Sequence, residues 1–270
     1  MFNDIRKVFW RLTGVILFIS AFIVTKAQID TDRPAFTSTT STVKTKNLQA
    51  EMGVSLSQGN YYSDTLSYLS APSLSLRYGV SQNTELRLLL PSLGLDLKNG
   101  ATEANNLEFG FKTKVVGDTR YNLSAIVGVF INEKPGGWIS LSSPQQFGWN
   151  IGIPMVYGID RNHRLKSEIR FTSGTSFFDI STYSQSLVFN KSFNPALVGQ
   201  VEYVFNYKNG NNSVSEPFQL THLVNLSAQY EMNKRCMIDG TISNLLGVRN
   251  EFNPLQKNIG VSLGLAYAIV

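Results

Sequence analysis

From residue 48 the chain alternates. Leu48, Ala50, Met52, Val54 and Leu56 are apolar, and Gln49, Glu51, Gly53, Ser55 and Ser57 between them are polar or small. A period of two belongs to a strand whose faces meet different surroundings. The pattern returns at 107–115, where Leu107, Phe109, Phe111, Thr113 and Val115 interleave with Glu108, Gly110, Lys112 and Lys114. It returns at 147–158, with Phe147, Trp149, Ile151, Ile153, Met155 and Tyr157 on one face. Leu197, Val201, Tyr203, Phe205 and Tyr207 stand opposite Gln200, Glu202 and Asn206. Val261, Leu263, Leu265, Tyr267 and Ile269 likewise stand opposite Ser262, Gly264, Ala266 and Ala268. Weaker runs cover 68–80, 84–91, 121–131, 164–172, 182–190, 220–232 and 236–244. Together they predict about 12 strands, each near the roughly 9–11 residues that a tilted membrane strand needs.

The connections alternate too. "SQGNYYSDTLS", "SLGLDLKNGATEANN", "NEKPGGWISLSSPQQ", "TSGTSFFDIS", "KNGNNSVSEPFQ" and "LLGVRNEFNPLQ" are long, and "GVSQN", "GDTR", "GIDRNH", "KSFNP" and "NKR" between them are short. A soluble sandwich has no reason to sort its loops by length. A closed antiparallel transmembrane β-barrel, with short periplasmic turns and longer extracellular loops, does so by construction. The all-β barrel is therefore the predicted fold, spanning residues 47–270.

A barrel in lipid must keep charge off its outer face, where a midplane Arg or Lys costs about 2–4 kcal/mol. The apolar phases above carry none. The opposite phases gather Glu51, Arg77, Glu85, Arg87, Glu108, Lys112, Lys114, Lys166, Glu168, Arg170, Glu202, Glu231 and Asp239, which are seven acids and six bases. These are the candidate lumen-lining residues. One reading is a network of ion pairs that fills the lumen; a sharper one is a polar pathway whose charged rings select a solute. The first is preferred, and a network can line a pore. Tyr78, Tyr157, Tyr207, Tyr230 and Tyr267 fall near strand ends, where aromatic girdles anchor a barrel at headgroup depth.

Residues 1–27 carry a basic flank (Arg6, Lys7, Arg11), an apolar run from Leu12 to Val24 and "TKA" before Gln28. That order predicts a secretory signal peptide, since the run falls short of the roughly 20 residues of a spanning helix. Arg6, Lys7, Arg11 and Lys26 against Asp4 account for +3 of the net +5, so the exported chain is left at +2. A nucleic-acid partner, which the whole-chain pI would invite, loses its basis. The single Cys236 excludes an internal disulfide framework and most cysteine metal sites.

Residues 28–46, "QIDTDRPAFTSTTSTVKTK", have no period, and Pro34 holds Arg33 before it extended. The expectation is a periplasmic N-terminal segment or plug, with Asp30, Asp32 and Arg33 as its contacts to the charged lumen. Several phrases then fall together: "TDRPAFTSTTSTV" before "LQAEMG" (Gln49, Glu51, Gly53), "LRYGVSQNTELRL" (Arg77, Tyr78, Gly79, Glu85, Leu86, Arg87) and "LEFGFKTKV" (Gly110, Lys112). In these the chain resembles the outer-membrane family labelled MetA-pathway of phenol degradation, over residues 30 to 115. The resemblance implies an outer-membrane channel for hydrophobic or aromatic compounds. Val270 departs from the terminal aromatic common in barrel assembly signals.

Some outer-membrane barrels are hydrolases. Here the two histidines lie apart: His163 falls in the turn "GIDRNH", and His222 begins a strand with Ser227 on the opposite phase. No G-x-S-x-G phrase announces a nucleophile, and "FTSGTSF" reads as a loop. The expectation is no catalysis, no metal and no cofactor. The expected partners are outer-membrane lipid, a small-molecule solute and, during biogenesis, the barrel-assembly machinery. A passive channel is the preferred function. A structural or adhesive barrel acting through its outer loops, with Trp138, Leu93 and Leu95 as apolar capture points, is the alternative.

Overall fold

The computed structural model describes residues 31–32, 36–61, 64–98, 100, 102–104, 107–118, 120–132, 146–173, 180–208, 219–249 and 258–269. The leader, Asp30, Arg33 and Trp138 lie outside the described residues. Fourteen strand segments follow one another. They are β1 (Leu48–Tyr61), β2 (Asp64–Gly79), β3 (Thr84–Leu90), β4 (Leu93–Asp96), β5 (Thr102–Ala104), β6 (Leu107–Gly117) and β7 (Tyr121–Asn132). Then come β8 (Gln146–Gly158), β9 (His163–Ser173), β10 (Ile180–Ser192), β11 (Leu197–Lys208), β12 (Gln219–Asn233), β13 (Cys236–Arg249) and β14 (Asn258–Ile269).

Segments β3 and β4 lie end to end along β2, and β5 and β6 lie end to end along those two. Pro91, which has no N–H for a ladder, sits at the first break. The fourteen segments are thus twelve staves, each antiparallel to the next. The last closes on the first, from Leu48 opposite Ile269 to Gly59 opposite Asn258. Closure gives every stave two neighbours through its central span, the condition for a sheet in lipid, and among the described residues only the short β5, paired with β4 alone, keeps a free edge.

The two phases separate as the alternation requires. Phe109, Val129, Phe147, Val201, Leu226, Ile242 and Leu263 are each more than half exposed, at 51–61%. The largest fully buried side chains are instead Arg77, Lys112, Glu51, Glu85, Glu168 and Glu202. Such an inversion suits a molecule whose outer solvent is hydrocarbon. Tyr78, Tyr157 and Tyr230 are exposed near the short-turn end, and Tyr267 stands on the same end of β14. Tyr207 stands near the other end, level with a chain of rings in which Phe171 meets Tyr183 at 5.4 Å and Phe205 meets His222 at 5.6 Å. These are the two girdles.

Four of the five short turns share one device. The side-chain oxygens of Asp118, Asp160, Asn194 and Asn233 each accept the N–H groups two and three residues ahead, at 2.6–2.9 Å. Asx residues favour turns for this reason. The amides of Arg120 and Tyr121 hold the exposed Asp118 carboxyl below its ordinary range. The hydrogen bond from His163 does the same for Asp160.

Two connections read from the sequence as long loops are built as strand. Pairing of β1 with β2 runs out to Tyr61 opposite Asp64. Leu93 and Leu95, expected as capture points in a loop, belong to β4 and face Ala71 and Leu69 of β2. The wall resumes beyond Pro91 because "LGLD" keeps the period of two. The other long connections, 133–145, 174–179, 209–218 and 250–257, lie outside the described residues.

Candidate functional site: the lumen and the segment within it

The backbone of residues 36–43 forms no sheet, yet Thr37, Ser38, Thr39, Thr40 and Val43 are each under 9% exposed. Buried N–H and C=O groups need partners, and here the inward side chains of the wall supply them. Glu202 on β11 accepts the N–H groups of Phe36 and Thr37, both at 2.8 Å. Glu168 on β9 accepts Ser38 N–H at 2.6 Å, and Glu85 on β3 accepts Val43 N–H at 2.7 Å. In the other direction Lys112 Nζ donates to Thr39 O at 3.2 Å, Ser124 Oγ to Thr40 O at 2.7 Å and Arg77 to Ser41 O at 3.2 Å. Carboxylates hold the amides, and cations and a hydroxyl hold the carbonyls.

The segment enters and leaves by the short-turn end. Thr31 lies beside the β12–β13 turn, where Gln229 Nε2 donates to its Oγ1 at 3.0 Å. Phe36 and Thr37 reach mid-barrel at Glu202. The chain then descends to the rim, where Thr42 Oγ1 donates to Gln82 O at 3.0 Å and Lys46 N–H to Gly79 O at 2.7 Å. Lys46 turns there in the left-handed region, at φ 67°, and β1 begins two residues later. Gly79 is required at this crossing, because a Cβ on it would lie 2.1 Å from Lys44 O. Asp32 Oδ1 accepts Thr39 N–H at 2.9 Å and so ties the two limbs together.

Three charge clusters result. Asp32, Glu51 and Glu85 meet Arg77, Arg87 and Lys112. Arg77 binds Glu51 at 2.8 Å and Glu85 at 2.9 Å, Lys112 binds Glu85 at 3.1 Å and Asp32 at 3.4 Å, and Arg87 pairs with Asp32. Three acids against three bases balance, so the desolvation of several kcal/mol per buried ion is met by mutual attraction. Glu168 pairs with Arg170 at 2.7 Å, and that guanidinium also donates to Ser38 Oγ and lies 4.9 Å over the Phe36 ring. Glu202 forms no ion pair among the described residues. Its carboxylate takes two backbone amides, Thr37 Oγ1 at 2.8 Å and Asn225 Nδ2 at 2.6 Å.

The remaining sequence candidates lie at the edges of this assembly. Glu108, Lys114, Lys166 and Glu231 are half-buried, and Asp239 is buried. Sequence reasoning missed Phe36, Thr37, Ser38, Ser124, Ser186 and Asn225, which meet the segment or hold its partners. It also missed the apolar lumen residues Ile126 and Phe130, 3% and 4% exposed, because β7 is apolar on both phases. His222 faces outward and meets Tyr203 Oη at 2.6 Å, whereas Ser227 faces the lumen and accepts from Thr241. The wall stands between them.

No known protein family matches the sequence, and no curated protein matches it. Solved structures do match the fold. The COG4313 outer membrane channel from Pseudomonas putida F1 superposes with a TM-score of 0.65 at 10% identity, covering 90% of this chain and 100% of that one. The KdgM porin in complex with disordered oligogalacturonate follows at 0.48 and 11%, covering 82% and 99%. The NanC porin reaches 0.48 at 9%, covering 80% and 98%. The likeness to the channel from P. putida is one of fold: the chain is a twelve-stranded antiparallel barrel of the outer-membrane type.

Proposed function

We propose that the protein is an outer-membrane channel that passes small hydrophobic, aromatic or amphipathic solutes by diffusion, and that residues 28–46 are a plug set in its lumen. One observation carries the reading. An eight-stranded barrel is just wide enough for side chains to fill, and this twelve-stranded one is filled by backbone that belongs to no strand. The plug, not the wall, closes it. The wall grips that plug by hydrogen bonds to its peptide groups, contacts that can be released without unfolding the barrel. The solute class rests on the resemblance to the MetA-pathway family carried by "TDRP", "RYG…ELR" and Gly110-x-Lys112, and so does membership in that family.

The lumen charges have two roles in this account. Arg77, Arg87, Lys112, Arg170, Glu85, Glu168 and Glu202 seat the plug, and Glu108 and the flanking charges meet whatever passes beside it. Flux in proteoliposomes over a panel of aromatic, fatty and sugar solutes tests the proposal. Uptake of the aromatic and fatty members above protein-free liposomes supports it. A barrel acting only through its outer loops passes none of them.

A further inference from the structure

Below the plug, at the short-turn end of the lumen, lies a cavity of about 360 Å³. Thr39, Thr40 and Ser41 form its roof. Its wall carries four cations, Lys114 of β6, Arg120 of the following turn, and Arg164 and Lys166 of β9, against one acid, Glu231. Higher in the lumen Arg77, Arg87, Lys112 and Arg170 are each paired with a carboxylate. These four are different, since none of them forms an ion pair with a described carboxylate. Asp118, the acid on the turn of Arg120, gives its Oδ1 to the amides of Arg120 and Tyr121 at 2.6 Å and adds a negative charge near Arg120 and Lys114 at the exposed rim.

Two further observations point to a ligand. Asn190 stands opposite Arg164 in the same wall, only 5% exposed, and its Oδ1 is buried without a hydrogen-bond partner. Asn190 lines the cavity, and its buried Oδ1 is a polar atom that nothing among the described residues engages. Lys114 is held over Gly117, where a Cβ would fall 1.9 Å from its Cε and 2.4 Å from its Nζ. A glycine at that point leaves room for the ammonium to lie against the wall. The remaining surface is partly apolar, with Val156, Val198 and Met237.

A recess in which one sign of charge predominates, here four cations to one acid, concentrates the opposite ion, and Lys and Arg donors suit carboxylate and phosphate oxygens. The volume lies within the roughly 300–1,000 Å³ range of small-molecule sites. We propose that this vestibule binds a small amphipathic oxyanion, a carboxylate or phosphate on a short apolar body, as the last station before the short-turn mouth. Its place on a transport path rests on the channel function above. The binding itself does not, and the two are measured apart.

The test is calorimetric titration of the intact protein, in uncharged lipid nanodiscs, with hexanoate, hexanol and inorganic phosphate. Hexanoate binds at one saturable site, with affinity falling at least tenfold between 50 mM and 500 mM salt. Hexanol shows no saturation, and phosphate binds more weakly than hexanoate. Lys114→Gln with Lys166→Gln lowers hexanoate affinity at least tenfold. Gly117→Ala, which displaces Lys114 without removing a charge, lowers it several-fold. Each variant is first shown to be folded by its heat-modified migration in gels. The proposal is overturned if hexanoate does not saturate the folded wild type, if hexanol binds equally well, or if both variants bind as the wild type does. Phosphate bound as tightly as hexanoate overturns the amphipathic part. Hexanoate that binds but crosses proteoliposomes neither through the intact protein nor after deletion of residues 28–46 keeps the site and removes the channel; flux without saturable binding does the reverse.

Discussion

Glu202→Gln tests how the plug is held. The carboxylate accepts four hydrogen bonds, two at each oxygen: Thr37 N–H and Thr37 Oγ1 at one, Phe36 N–H and Asn225 Nδ2 at the other. The amide has the same shape but keeps one acceptor oxygen. Its NH₂ must face one backbone N–H, which cannot turn away, while the Thr37 hydroxyl or the Asn225 amide on that side can reorient to accept; one bond is lost outright and the rest lose the charge. A bond to a charged acceptor contributes about 1.5–3 kcal/mol, and the upper end of that range gives ~3 kcal/mol of lost docking. At 1.4 kcal/mol per tenfold, the amides of Phe36 and Thr37 exchange with solvent about a hundredfold faster. Hydrogen exchange followed by NMR in nanodiscs reads this directly. The Val43 amide, held by Glu85 at 2.7 Å near the rim, serves as the internal reference and changes less. Unchanged exchange at Phe36 and Thr37 in a folded Glu202→Gln barrel would refute the idea that this carboxylate seats the plug.

Four other outcomes follow from the contacts described above. Arg77→Met leaves Glu51 and Glu85 buried without their nearest cation, and breaking such a pair costs about 3–5 kcal/mol; denaturant unfolding of the folded barrel measures it. Neutralising Arg77 and Arg87 together must change conductance or barrel stability, and the role given to the inward charges fails if both are untouched. Gly79→Ala places a methyl group against Lys44 O, so the barrel forms but the plug loses its rim contact, and limited proteolysis cleaves near Lys44 where the wild type resists. Asp160 is held below its ordinary range by His163 and by the turn amides. A depressed carboxyl contributes stability above the unfolded value, near pH 4, and loses it as pH falls through the folded value. Asp160→Asn therefore melts below the wild type at pH 7, and the difference narrows as pH falls below about 4.

The strands were legible because a two-faced stave writes its phase into every second residue. Glu51, Arg77, Glu85 and Glu202 stand on the phase opposite Met52, Leu76, Leu86 and Val201, and the burial of each follows from that. Four of the short turns carry a separate signal, an Asx residue (Asp118, Asp160, Asn194 or Asn233) that accepts the amides following it. The upper wall was not. Pro91 reads as the end of a strand although β4 resumes along the same edge of β2, and "SQGNYYSDTLS" reads as a loop although β1 and β2 pair through it. Most contacts of residues 36–43 were also hidden. They are made chiefly by backbone groups, which no side-chain pattern encodes, and Ser/Thr side chains gave no period from which to read a face.

The central claim, that the N-terminal segment closes an otherwise open lumen, is tested most directly by single-channel conductance before and after deletion of residues 28–46. The account predicts small or absent conductance in the intact protein and a stable open pore in the deletion variant, with the barrel still folded. Equal conductance from the two folded proteins would contradict it.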